Sequence, residues 1–179
     1  MSTLRTAAAV SAALLLSAGV FAAESQSLSP NLGQPISPAD LAPWDITIMP
    51  DGTGLPAGSG TAVQGAPIFA QKCSACHGDK GTGGEATMVT AGPTRATLDG
   101  GKTIANFWPY ATTIFDFVRR AMPANAPKSL TNEEVYALTA YLLSLNKLIG
   151  ETDVINAQTL PKVKMPNAEN FIIRFPERI

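Results

Sequence analysis

The feature that most constrains this chain is a cluster of three residues in the stretch FAQKCSACHGDKG. Cys73, Cys76 and His77 comprise both cysteines and the single histidine of the 179 residues. Cys-x-x-Cys-His is the attachment sequence for c-type haem. On a helical turn the two thiols lie on one side, where they can form thioethers with the haem vinyl groups, and the imidazole reaches the iron. The spacing therefore predicts one covalently bound haem c.

Other uses of two closely spaced cysteines are less consistent with the sequence. A redox dithiol typically lies within a βαβ pattern, which this sequence lacks. A structural zinc ion would need a fourth ligand after two thiolates and one imidazole, and no further Cys or His is present. A disulfide that closes so short a loop would add little constraint to the unfolded chain.

The composition excludes a nucleic-acid partner and favours an ordinary globular chain. Hydrophobic residues make up 45% of the sequence and charged residues 15%, with a formal net charge of -1. No basic cluster of the kind that binds phosphate backbones is present.

The N-terminal segment has the features of an export signal. Arg5 precedes an apolar run over residues 7–23, which ends near VFA and further small residues. We expect residues 1–22 to be a cleaved signal peptide and the mature protein to lie in a bacterial periplasm, with no stable membrane insertion. An uncleaved anchor is the alternative, but the run is at the lower limit of length for crossing a bilayer.

The mature chain is predicted to hold one helical domain between two extended arms. Residues 23–60 are rich in proline and glycine and lack helical periodicity, which predicts the first arm. Residues 61–149 form the helical domain, and residues 150–179 form an extended tail. The expected apolar anchors of the first arm are Trp44, Ile46, Ile48 and Leu55. Such an arm packs on its own domain more often than it stays free.

Two helices are predicted before residue 130. The first covers residues 61–75 and leads into the cysteines, and the second covers residues 112–121. Pro123 ends the second helix at Met122, because the residue before a proline is pushed out of the helical region. The residues expected to face inward are Val63, Ile68 and Phe69 in the first helix and Ile114, Phe115 and Val118 in the second.

The third helix has the clearest boundary signals. Thr131 and Glu134 form a capping box, and apolar residues keep helical spacing from Val135 up to Asn146. No internal repeat and no strand pattern is visible. The predicted fold class is therefore all-α.

The axial ligands of the iron decide what such a haem can do. With His77 as proximal ligand, its second ring nitrogen should donate to a backbone carbonyl, and Pro93 is the candidate acceptor. Gly92-Pro93 as a mere turn is an equally weighted alternative. An open distal position would bind small molecules, whereas a closed one favours electron transfer.

A second histidine cannot close the distal position, because the chain has only one. Four methionines remain after export, namely Met49, Met88, Met122 and Met165. Met122 is the favoured ligand, because it lies at a helix end before the loop PANAPKS, and Met165 is the next candidate. For each methionine the alternative is a soft filler of the core.

Charge is unevenly distributed along the mature chain. Residues 65–130 contain seven Lys or Arg and four Asp or Glu, whereas residues 23–64 contain four acids and no base. Five basic residues are candidates for the rim of an exposed haem edge, namely Lys72, Lys80, Arg119, Arg120 and Lys128. There they would steer an acidic partner or neutralise the haem propionates. For any single one of them a merely solvated position is the favoured interpretation.

Two segments together resemble the class I cytochrome c pattern: VQGAPIFAQKCSACHG and EEVYALTAYLLSLN. In that family a glycine and an aromatic residue of the first helix cross an aromatic residue of the last helix, and Gly65, Phe69 and Tyr141 match them. The resemblance implies three to five helices around one covalently bound haem. It also supports Met122 as the distal ligand.

A more specific resemblance lies in FWPYATTIFDFVRRAMPANAPKSLTNEEVYALTAYLLSLN, GLPAGSG and LPKVKMPN. These stretches, within residues 44–171, are similar to cytochrome c subunits of periplasmic molybdenum sulfite dehydrogenases and of the Sox sulfur dehydrogenase. The resemblance implies that electrons from a sulfur substrate pass from molybdenum to this haem, then to another cytochrome or an oxidase. The Sox subunit is usually a larger di-haem chain, so the single motif here favours a sulfite-dehydrogenase-like partner.

The leading prediction is an electron-transfer subunit that is not an enzyme on its own. A freely diffusing periplasmic carrier with its arms folded back is one alternative. A haem enzyme or sensor with an open sixth coordination position is another. The sequence disfavours the haem enzyme or sensor, because the chain shows no second histidine and no distal acid–base pair.

Overall fold

Helices carry the fold, which the computed structural model describes for residues 32–86, 89–90 and 102–172. The α-helices in these ranges are α1 (Pro38–Leu41), α2 (Ala62–Lys72), α3 (Ser74–His77), α4 (Ile104–Phe107), α5 (Ala111–Ala121) and α6 (Asn132–Leu145). Two short strands, β1 (Ser59–Gly60) and β2 (Ile155–Asn156), pair antiparallel, and the tail adds 3-10 helices at Leu160–Lys162 and Ala168–Asn170. The all-α class is confirmed, with one small strand pair that the sequence did not predict.

The chain divides into two units, residues 1–38 and residues 39–179. The core and the cysteine motif belong to the second unit. The predicted signal peptide, residues 1–22, lies outside the described residues. In the parts of the chain that the structure describes, no helix has the length and apolar character needed to cross a membrane.

Helix α2 begins with a capping box and ends before the motif is complete. The Thr61 side chain accepts from the Gln64 backbone N–H, and the Gln64 Oε1 accepts from the Thr61 backbone N–H at 2.9 Å. The predicted end at residue 75 is wrong, because Cys73 leaves the helical conformation with φ of -127° and ψ of -35°. The inward position predicted for Val63 is also wrong, since that side chain is 59% exposed.

The other two long helices lie where the sequence predicts them. Helix α5 ends at Ala121, and Met122 adopts the extended conformation expected before Pro123. Its inward residues are confirmed, because Ile114, Phe115 and Val118 are all buried. Helix α6 begins with the predicted capping box of Thr131 and Glu134 and ends at Leu145.

The helices α2 and α6 cross at Gly65. A Cβ atom on this residue would overlap the Ala137 carbonyl and lie 2.8 Å from the Tyr141 Cβ, so only glycine permits the close approach. One turn further along, the rings of Phe69 and Tyr141 meet with centroids 5.3 Å apart and planes tilted by 52°. The contacts implied by the resemblance to class I cytochromes c are thus present.

Both arms contribute to the core of the second unit. Ile48 of the first arm is buried, and the Tyr136 hydroxyl donates to the Pro56 carbonyl at 2.8 Å. The tail is not simply extended, because it forms 3-10 turns and buries three apolar side chains, those of Ile155, Leu160 and Met165. Trp44, an expected anchor, instead remains 74% exposed.

The close crossing of α2 and α6 makes a specific prediction for Gly65→Ala. In an open helical position the change would stabilise α2 by about 1 kcal/mol through helix propensity. Here we expect a loss of about 2 kcal/mol in the free energy of unfolding, because overpacking separates the helices. Urea titration followed by circular dichroism measures the difference. Ala70→Gly, at an exposed position of the same helix, should cost only about 1 kcal/mol. A stabilised Gly65→Ala protein would contradict the close packing.

Candidate functional site

The motif residues lie on a single helical turn that follows α2. The backbone N–H groups of Cys76 and His77 both donate to the Cys73 carbonyl, at 3.2 Å and 3.0 Å. Cys73 and Cys76 do not form a disulfide, and Cys73 is half-buried whereas Cys76 is exposed. Burial raises the pKa of the Cys73 thiol, against the opposing effect of the neighbouring Lys72 charge.

The glycine-rich loop after the motif folds back against it. The Ala86 backbone N–H donates to the Cys76 carbonyl at 2.8 Å, and the φ of Gly78 is 79°, a left-handed conformation that favours glycine. The loop is also tied to α6, because the buried Asn146 donates from Nδ2 to the Val89 carbonyl at 3.0 Å. A weak sequence signal for Asn146 is its position as a polar residue directly after the apolar positions of α6.

A cavity of about 860 Å³ lies beside the motif. Its lining includes Cys73, Cys76 and His77 together with Met122 from the end of α5. The volume lies within the range of roughly 300–1,000 Å³ that is typical of cofactor sites. Much of the remaining wall is apolar, with Phe69, Ile104, Trp108, Ile114, Leu138 and Leu142 among the lining residues.

One buried hydroxyl provides a further test of what the cavity can hold. Thr103 lines the cavity and is 4% exposed. Its Oγ1 faces the Asn106 backbone N–H in a capping box, but within the described residues its hydroxyl donates to no acceptor. A buried polar group without a partner costs about 1–3 kcal/mol. Haem has carboxylates that can accept from a hydroxyl and a flat apolar ring that suits the walls. The residues present therefore fit this group, with two thiols, one imidazole and one thioether on the same cavity.

The structure distinguishes between the candidate methionines that it describes. Met122 lines the cavity, whereas Met165 is 4% exposed within the core and, like Met49, does not line it. Met165 thus fits the alternative of a core filler. Met88 and Pro93 lie outside the described residues, so Pro93 as the acceptor for His77 stays a prediction.

Most of the predicted basic rim is engaged within the chain. Lys72 lines the cavity and pairs with Glu134 of α6 at 2.7 Å. Two other candidates also have partners in the chain: Arg120 pairs with Asp116 at 2.9 Å, and Lys128 lies 5.3 Å above the centre of the Trp44 ring. For Lys80 and Arg119 a merely solvated position remains the favoured interpretation.

Several cavity residues were not singled out from the sequence. Lys102 lines the cavity and lies 4.9 Å above the Phe107 ring centre. Trp108 and Phe117 also line it, with ring centroids 5.6 Å apart in an edge-to-face contact. Phe117 is 43% exposed, so the cavity wall reaches the protein surface at this residue. The only sequence signal for this wall is the density of aromatics in NFWPY and FDF.

Comparison with known proteins gives two matches. A family model described as cytochrome c matches residues 62–146. Among solved structures, the crystal structure of the sulfane dehydrogenase SoxCD from Paracoccus pantotrophus is similar, with a TM-score of 0.74 and 34% identity. This match covers 83% of the present chain and 74% of that chain. A search of curated proteins gave no match.

The contact between Lys72 and Glu134 predicts a pH-dependent effect. The hydrogen bond from Lys72 holds the pKa of Glu134 below its ordinary value of 4.5. The contribution of the pair is therefore present above pH 4.5 and is lost as the pH falls through the lower pKa of the folded state. We expect Glu134→Gln to reduce the free energy of unfolding by about 0.5–1 kcal/mol at pH 7.

The measurement for Glu134→Gln is urea unfolding at a series of pH values. The difference from the natural protein should vanish in acid, where the carboxylate is protonated in both folded and unfolded chains. Glu133→Gln is the matched control, because Glu133 lies in the same first turn of α6 and is exposed. An equal effect of both substitutions would show that the helix dipole, and not the ion pair, is responsible.

Proposed function

The chain belongs to the cytochrome c family, and from this premise we propose that it is the electron-accepting subunit of a periplasmic molybdenum-dependent dehydrogenase of sulfite or a related sulfur compound. Members of this family bind haem c covalently, so the chain is an electron carrier and not a catalyst by itself. The observation that carries the proposal is the extent of the similarity to SoxCD. It covers 83% of the chain, well beyond the family domain at residues 62–146.

Each residue of the motif has a defined role in this proposal. Cys73 and Cys76 would hold the haem by two thioethers, and His77 and Met122 would bind its iron. Support comes from the cavity, which all four side chains line. When bound, the haem supplies a one-electron couple of ferric and ferrous iron.

The remaining residues of the cavity set the environment of that couple. A thioether donates electrons to iron more weakly than imidazole does, so Met122 would favour the ferrous state more than a second imidazole would. Apolar side chains such as Ile114 and Leu138 exclude water and strengthen this preference, because a medium of low polarity disfavours added charge. Trp108 and Phe117 offer the partner an aromatic surface near the cavity.

A freely diffusing periplasmic carrier is the second candidate function. The packing of both arms favours it, because Ile48 and Leu160 are buried in the core of the chain itself. Arms that are already packed do not need a partner to become ordered. The export to the periplasm, in either case, rests on the predicted signal peptide at residues 1–22.

The partner is tested with the native protein purified gently from its source. We expect the haem absorbance to elute together with a molybdenum protein, and sulfite or thiosulfate to reduce the oxidised haem. Isolated chain without the partner is the control and should not respond to either compound. Elution of a lone monomer and a full lack of reduction would instead support the diffusing carrier.

The distal ligand is tested by Met122→Ala in the haem-loaded protein. Loss of the thioether should open the iron, so that the ferrous protein binds carbon monoxide at once and the reduction potential falls. Met165→Leu is the matched control, because Met165 lies in the core away from the cavity. Fast carbon monoxide binding by the natural protein would contradict the role of Met122 and would favour a haem enzyme or sensor.

A further inference from the structure

A short part of the first arm is bonded to the helix that leads to Met122. We call residues 44–48 the brace segment. Arg120 donates from Nη2 to the Ile46 carbonyl at 3.4 Å, and the Ile48 backbone N–H donates to Asp116 Oδ1 at 3.3 Å. Asp116 and Arg120 lie in the last two turns of α5, immediately before Met122.

Asp116 and Arg120 reach the brace segment as one unit. Arg120 donates to both carboxylate oxygens, from Nη2 to Oδ1 at 2.9 Å and from Nε to Oδ2 at 3.4 Å. Two charged groups on one helix face therefore present both a donor and an acceptor to the backbone of the brace segment. Hydrogen bonds to charged groups are stronger than those between neutral groups.

The loop after Met122 returns to the same segment. Lys128 lies with Nζ 5.3 Å above the centre of the Trp44 ring, a distance at which a cation is attracted to an aromatic face. Its backbone has a φ of 63°, in the left-handed region that side-chain-bearing residues seldom occupy. The segment that carries Met122 thus contacts the brace segment on both sides of the methionine.

We propose that the brace segment positions Met122 for its place on the cavity, through Asp116, Arg120 and Lys128. This inference rests on the proposed role of Met122 as distal iron ligand. Met122 adopts an extended conformation at the end of α5, where its backbone N–H makes the last helical hydrogen bond, to the Val118 carbonyl at 3.1 Å. Contacts that tie down the preceding turn and the following loop reduce the conformations open to the thioether, so the ligand dissociates less often.

The ion pair between Lys72 and Glu134 provides a matched control. At 2.7 Å it is shorter than the pair of Asp116 and Arg120 at 2.9 Å, and its side chains have similar exposure. It connects α2 to α6 and makes no contact with the brace segment. Breaking either ion pair should therefore lower the general stability, whereas only breaking the pair of Asp116 and Arg120 should weaken the Met122 ligand.

The test compares haem-loaded Asp116→Asn and Glu134→Gln proteins. The rate of carbon monoxide binding to the ferrous protein measures how often the thioether leaves the iron. We expect Asp116→Asn to bind carbon monoxide about three- to tenfold faster than the natural protein, and Glu134→Gln to be unchanged. Heating provides a second readout. In Asp116→Asn the absorbance of the ferric iron–thioether bond should disappear at a lower temperature than the helical circular dichroism. In Glu134→Gln the two signals should disappear together.

A charge exchange separates the brace segment from the ion pair itself. The double variant Asp116→Arg with Arg120→Asp keeps an opposite-charge pair on α5. An arginine at position 116 cannot accept from the Ile48 N–H, and an aspartate at position 120 cannot donate to the Ile46 carbonyl. We therefore expect fast carbon monoxide binding to persist. Recovery of the natural rate would overturn the proposal, because the helix pair alone would then suffice.

Trp44→Ala is a second variant with little risk to folding, because the ring is 74% exposed. We expect carbon monoxide binding to be about two- to fivefold faster, in line with an exposed cation–π contact. If Trp44→Ala and Asp116→Asn both bind carbon monoxide at the natural rate, the proposed role of the brace segment is overturned, while Met122 remains the proposed ligand. A natural protein without thioether absorbance would overturn the ligand assignment, and the inference with it.

Discussion

The close crossing of α2 and α6 is the contact on which the rest of the structure depends. At Gly65 the two helices approach until backbone meets backbone, and this proximity brings Phe69 against Tyr141. Helix α2 then delivers the motif at its C-terminal end, while α6 supplies Leu138 and Leu142 to the wall of the cavity. The separation of these helices therefore governs the shape of the haem site.

The cavity combines few polar groups with a closely packed surround. Ile114 and Leu138 line it and are almost fully buried, so the donor atoms of the motif face a wall that moves little. Thr103 is an exception, a buried hydroxyl that needs an acceptor from the bound group. A rigid, largely apolar site suits a centre that only gains and loses an electron, since little has to rearrange.

Residues 39–60 of the first arm and residues 150–172 of the tail belong to the folded second unit. The family domain covers residues 62–146, yet Ile48, Ile155, Leu160 and Met165 lie outside it and are part of the core. The strand pair of β1 and β2 joins the two arms next to α6. Removal of either arm would thus expose core side chains as well as take away a candidate surface for a partner.

The sequence by itself determined the features that depend on neighbours in the chain. The haem motif, the capping box at Thr131 and the helix end before Pro123 each follow from chemistry within a few residues. Only the tertiary structure decided which surfaces meet, and therefore that Val63 and Trp44 are exposed. The same holds for the two best candidate methionines, one lining the cavity and one filling the core. Their surroundings come from segments far apart in the chain, and local patterns carry no information about such contacts.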